Sequence, residues 1–136
     1  MIRYAWSAET ELPLDAAVER VTALLAQQGF GILTRIDVHD VLARKLGVKR
    51  EPYVILGACN PEFAHRALEA EPAIGILLPC NVVVESRTGG TRVWVTRPDA
   101  LFDLADRPDL APLAEAVTVR VAATPADTDA LWACLG

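Results

Sequence analysis

The sequence predicts an α+β protein, with helices packed on a mainly antiparallel sheet, in one domain spanning residues 1–136. Three observations predict it. Short β-rich runs fall between segments whose apolar residues recur at helical spacing. The run 30–36 alternates sides as a strand with one wetter face does, which suits antiparallel pairing. Two later runs, 82–85 and 92–96, are joined through Arg87-Thr88-Gly89-Gly90, a hairpin signal.

Taken in order, residues 2–6 read as a first strand. Leu12-Pro13-Leu14-Asp15 opens a helix, with Pro13 suited to its first turn and Ala17, Val18, Val21, Leu24 and Leu25 on its inner stripe. Gly29 supplies the stop. In the next strand Phe30, Ile32, Thr34 and Ile36 share one face. Asp37 is placed to cap a second helix, with Asp40 in its first turn. Val38, Val41, Leu42 and Leu46 are expected on the inner side of that helix, and Gly47 at its end.

Residues 53–58 are almost all apolar and read as a central strand buried on both faces. Asn60-Pro61-Glu62 is a strong helix start, with a cap residue, a proline at the first helical position and an acid next. Phe63, Ala64, Ala67 and Leu68 form the expected buried stripe, and the helix should end before Pro72. After the hairpin the chain reads helical. Leu101, Phe102 and Leu104 fall in a short piece and Leu110, Leu113, Val117 and Val121 in a longer one. A last piece after Thr124-Pro125 carries Leu131, Trp132 and Leu135.

Composition narrows the function. The chain of 136 residues is 52% apolar and 23% charged, enough for a sizeable core and an apolar subunit interface without metal or disulfide support. No apolar run reaches the ~18 residues of a membrane span. The opening Met1-Ile2-Arg3-Tyr4-Ala5-Trp6 lacks the basic and apolar regions of a signal peptide, so a cytoplasmic protein is expected. A net charge of −5 and scattered basic residues exclude a phosphate-tracking surface, even at Arg44-Lys45 and Lys49-Arg50. Neither nucleic acid nor membrane is an expected partner.

Two Cys-Asn segments draw attention. Cys59 ends the 53–58 run and directly precedes the Asn60 cap, so its sulfur could feel the helix N-terminus, where an anion is favoured. A thiolate there would have a lowered pKa and be reactive. The same place could hold a bound carboxylate or phosphate. Equally, Cys59 could be a small core residue at a tight turn. Cys80 follows Ile76-Leu77-Leu78-Pro79, and Asn81 beside it suits a turn. Cys59 and Cys80 could together be a redox pair or half a soft-metal site. Their spacing matches no zinc signature, and His39 and His65 fall on outer helix faces, so neither a metal nor another cofactor is expected. Three well-separated cysteines suit reduced thiols, and Cys134 reads as packing in the last helix. No phosphate loop, Ser-His-Asp set or glycosidase-like carboxylate pair stands out, and nothing nominates an enzyme.

The run Gly31-Ile32-Leu33-Thr34-Arg35-Ile36-Asp37-Val38, followed by Pro52-Tyr53-Val54-Ile55-Leu56-Gly57-Ala58-Cys59-Asn60-Pro61, resembles the bacterial and archaeal domain of unknown function 302. So does Ala67-Leu68-Glu69-Ala70-Glu71-Pro72-Ala73-Ile74-Gly75, leading into Leu77-Leu78-Pro79-Cys80-Asn81-Val82-Val83-Val84. The resemblance covers nearly the whole chain. It departs most at Ala116-Val117-Thr118-Val119-Arg120-Val121 and Pro125, where the family looks to end in a charged helix. It implies a fold like that of the TATA-box-binding protein, and homodimers. It implies no reaction, and it lends Cys59, Asn60 and Cys80 interest as motif positions.

The functional expectation is a homodimeric small-ligand-binding domain. Its pocket would lie where Cys59, Asn60, Cys80 and Asn81 approach, for a small anionic or amphipathic ligand. One alternative is a thiol-dependent redox or sulfur-carrier protein with Cys59 as the nucleophile. Another is a structural or interaction module without a ligand.

Overall fold

Five strands, β1 (Ala5–Thr10), β2 (Gly31–Asp37), β3 (Tyr53–Cys59), β4 (Cys80–Arg87) and β5 (Gly90–Thr96), form one sheet in the order β1-β5-β4-β3-β2. Every neighbouring pair is antiparallel. The helices are α1 (Leu14–Gln27), α2 (Val38–Leu46), α3 (Pro61–Ala70), α4 (Pro98–Phe102) and α5 (Ala111–Ala122), with 3-10 turns at Pro72–Leu77, Asp103–Ala105 and Pro108–Leu110. This computed structural model describes residues 2–122, so the expectations for Trp132, Cys134 and the last helix lie outside the described residues.

The α+β expectation holds: helices cover one face of the antiparallel sheet. Alternation along the strands sends Val54, Leu56 and Ala58, Val82 and Val84, and Val93 and Val95 to that face. Ala17, Val18, Val21 and Leu25 of α1 pack there, joined by Ala67 of α3, Ile74, Phe102, and Leu113 and Val117 of α5. A single apolar layer between helices and sheet results, as the layer rule for α+β domains requires. Thr91 is the fully buried polar residue of the sheet, and its hydroxyl donates to Leu12 O at 2.7 Å.

Several local expectations are corrected. The first strand lies at Ala5–Thr10, not at 2–6. Its polar Ser7 and Glu9 face solvent while Trp6, Ala8 and Thr10 turn inward against β5, and tertiary pairing sets the boundary. In β2 the shared face breaks at a bulge between Ile32 and Thr34. Ile32 joins the core, Leu33 is exposed, and Thr34 and Ile36 turn to the opposite face, because one extra residue inverts every side chain after it.

Asp37 stands at the N-cap of α2 without making the cap bond; its carboxylate accepts from Arg35 Nη2 at 3.0 Å instead. Helix α2 has no buried residue, and Leu46, expected inside, is 69% exposed. His39, expected on the outer face, turns to β3: its Nδ1 lies 3.1 Å from the Tyr53 amide, which donates to it. Strand β3 is buried on one face, not two, since Tyr53 and Ile55 are half-buried. Of the expected α3 stripe only Ala67 is buried; Phe63 and Ala64 are half-buried and Leu68 is exposed. The hairpin strands are longer than read, and the turn between them is tighter, at Thr88-Gly89.

Candidate functional site

Each member of the two Cys-Asn segments is placed by strand pairing. Strands β3 and β4 pair with Ala58 opposite Cys80 and Gly57 opposite Asn81. The segments are therefore neighbours, as the sequence expectation required. Period-two alternation then separates them. Cys80, level with Ala58, is buried on the helix-covered face, whereas Cys59 and Asn81 belong to the opposite one, left uncovered by the helices among the described residues. Both cysteines are free thiols, on adjacent strands but directed to opposite faces.

Burial is the main influence on both thiols. Burial pushes the Cys59 thiol above its ordinary value. Burial, helped by the nearby Cys59, pushes Cys80 up to about 11. The expected lowering by the helix N-terminus does not prevail. Asn60 explains why in part: its side-chain oxygen accepts from the Phe63 amide at 3.3 Å, so the first turn of α3 already has its acceptor. The amide end of Asn60 packs against Gly29, whose φ is +84°; a Cβ at Gly29 would lie 2.9 Å from Asn60 Nδ2.

Asn60 and Cys80 border a gap of about 20 Å³ closed by Phe30, Phe63 and Phe102. That is about one water molecule's room, with an apolar wall, and Cys59 does not line it. A metal has no donor set, for no cluster of three or more His, Cys, Asp or Glu side chains could hold one among the described residues.

The uncovered face of the sheet has a different character. Strand registers set its side chains in three rows. Thr34, Gly57, Asn81, Thr96 and Ala5 form a small or polar row. Ile36, Ile55, Val83, Trp94 and Ser7 form a row that is apolar for most of its length. Tyr53, Glu85, Arg92 and Glu9 form a polar and charged row. Arg92 lies 2.7 Å from Glu9 and 3.9 Å from Glu85, and the Trp94 indole N–H donates to Glu85 Oε1 at 3.0 Å.

On this face lies a trough of about 490 Å³, lined by Tyr4 and Leu101 together with Val83, Trp94, Asn81 and Tyr53. Its volume falls within the range of small-molecule sites. Other hollows are less suited. Those of about 330 and 510 Å³ carry ion pairs already made, Arg107 with Glu71 and Asp109, and Arg87 with Glu9. One of about 560 Å³ lies between α3 and α5, close to the end of the described residues.

Sequence reasoning singled out Asn81, which lines the trough, and missed Tyr53, Trp94 and Glu85. The signal was present in Arg92-Val93-Trp94-Val95-Thr96: alternation around two core valines places a tryptophan on the other side of the sheet.

Comparison with known proteins agrees with this architecture. The family model described as Domain of unknown function DUF302 matches residues 6–126. The chain belongs to the DUF302 family. A solved structure, the crystal structure of an uncharacterized conserved DUF302 protein from Bacillus stearothermophilus, is 31% identical, with a TM-score of 0.82. The match covers 90% of this chain and 96% of that one. No curated protein matches the chain. The described residues of this DUF302 protein include no helix long and apolar enough to cross a membrane.

Proposed function

We propose that this DUF302 protein is a small-ligand-binding domain that works as a homodimer, with its ligand held on the uncovered face of the sheet. The trough of about 490 Å³ carries this reading. It is concave, largely apolar, and bordered by a few hydrogen-bonding groups, which is the make-up of small-molecule sites. Of the four residues singled out in the sequence, Asn81 alone belongs to it; the gap beside Asn60 and Cys80 is too small for a ligand.

Dimerisation is proposed from the rest of the same face. Beyond the trough the apolar row continues through Ile55 to Ile36, which is 47% exposed, and Leu46 at the end of α2 and Val48 just after it are also presented to solvent. An apolar patch of this kind suits a two-fold interface. The thiol reading loses support, since burial pushes both thiols above their ordinary value rather than below it.

Two measurements test the proposal. Sedimentation velocity should give a dimer that Ile36→Lys converts to a folded monomer. A screen of small molecules by amide and indole NMR shifts should move the Trp94 and Asn81 signals together. A monomeric parent protein would remove the dimer. Ligands that move only residues around Cys80, or no residues at all, would remove the site.

A further inference from the structure

The wall of the trough restricts the class of ligand, and this step rests on the reading that a ligand binds there. No Lys, Arg or His side chain lines it. An anionic ligand would therefore give up part of its hydration without a cation in the lining to pair with, the nearest guanidinium groups being engaged with the wall's own rings and with nearby carboxylates. The charged group in the wall is Glu85, whose side chain is only 22% exposed. Its Oε1 takes the Trp94 indole N–H at 3.0 Å, which fixes the carboxylate against the ring. The nearest cation, Arg92, also approaches Oε1, at 3.9 Å, and is drawn instead to Glu9 at 2.7 Å. Glu85 Oε2 has no hydrogen-bond or ion-pair partner among the described residues.

Aromatic faces complete the pattern. Tyr4, Tyr53 and Trp94 border the trough. Two of these rings already attract guanidinium groups from within the protein: Arg50 stands 4.8 Å from the Tyr53 centroid and Arg92 5.4 Å from that of Trp94. Aromatic quadrupoles and a carboxylate with one free oxygen favour the same charge on a ligand. The geometry points to a small organic cation as the ligand of this trough, an ammonium or guanidinium group on an apolar body. The cationic end meets Glu85 Oε2 and the ring faces. The apolar body lies along Val83 and Leu101.

Three probes that share one phenyl body separate the possibilities: benzyltrimethylammonium, benzyl alcohol and benzenesulfonate, each titrated into the full-length protein at low salt and neutral pH. The readout is the Trp94 indole N–H and the Asn81 side-chain amide, the former assigned with Trp94→Phe. The ammonium should shift both and bind about tenfold or more tightly than the alcohol, with the sulfonate weakest. Glu85→Gln retains an acceptor for the indole while removing the charge. It should reduce ammonium affinity about tenfold and leave alcohol binding unchanged. Sulfonate or alcohol binding as tight as ammonium, or ammonium binding indifferent to Glu85→Gln, overturns the cation assignment and leaves a ligand site of another class. Shifts from none of the three probes overturn the cation assignment and count against the site itself.

Discussion

Gly57 offers a stringent test of how the two Cys-Asn segments fit together. It sits two residues before Cys59 on the uncovered face, paired with Thr34 on one side and Asn81 on the other. It is nonetheless buried, because the Thr34 side chain and the Pro79 ring close over it. A Cβ at this position would run into Thr34 Oγ1 and stand 2.8 Å from Pro79 Cγ, so both neighbours must move for Gly57→Ala. Thr34 can respond by turning about χ1, at about 0.5–1.5 kcal/mol for an off-rotamer side chain. The Pro79 ring has no such freedom, and overpacking of this type costs ~1–3 kcal/mol in all. Restricting the unfolded chain returns ~0.4–1 kcal/mol. The net expectation is a loss of about 1–2 kcal/mol. With urea slopes of ~1–3 kcal/mol per M, the denaturation midpoint should fall by roughly 0.3–2 M at unchanged slope. In a Thr34→Ala background the Thr34 part of the clash vanishes, so Gly57→Ala should cost about 1 kcal/mol less there. A neutral or stabilising Gly57→Ala, or effects of the two substitutions that simply add, would refute the placement of Thr34 and Pro79 over β3.

Three further outcomes are expected. Asn60→Ala should cost about 1 kcal/mol in chemical denaturation, through the lost bond to the Phe63 amide, whereas Asp37→Ala should show no comparable capping loss, since its carboxylate serves Arg35. Iodoacetamide should alkylate Cys59 more slowly than a small free thiol near neutral pH and Cys80 more slowly still, read by mass spectrometry of the native protein; faster reaction at Cys59 would restore the thiol reading. The raised Cys80 value also has a signed consequence for stability. Below the unfolded thiol's value of 9.0 both states hold the proton and nothing is lost. Between there and about 11 the unfolded chain ionises first, so stability should fall, by about 2–3 kcal/mol at most, and Cys80→Ala should lack that part of the alkaline loss.

Much of the architecture is legible in the residues. The α1 stripe Ala17, Val18, Val21 and Leu25 is buried as its spacing demands, and Asn60-Pro61 caps α3 by the bond its chemistry suggests. What stays hidden depends on partners distant in sequence. The bulge after Ile32 leaves no composition signal, yet it inverts Thr34 and Ile36. Asp37 is a good cap residue by type, but Arg35 competes for it and wins. The apolar 53–58 run reads as buried on both faces because hydropathy cannot say that, among the described residues, no helix packs over Ile55. For the site, adjacency of the two segments was foreseen. Their division between opposite faces follows only once the register pairs Ala58 with Cys80.

That division changes where function should be sought. On the helix-covered side, Cys80 fills space among Phe30, Phe63 and Phe102, and a small apolar side chain there needs no further reason. On the other side, folding alone explains less. Trp94 and Val83 stand on a face over which no helix packs as a layer among the described residues, where polar side chains would satisfy strand alternation equally well. Apolar area left to water in this way adds little to the stability of the isolated chain and raises the hazard of nonspecific association. The flanking row answers that hazard with charges, Glu9, Arg92 and Glu85, paired across β1, β5 and β4. Half-buried aromatics bounded by paired charges form a bordered surface, and a bordered surface is what selective contact with a ligand or a second subunit requires.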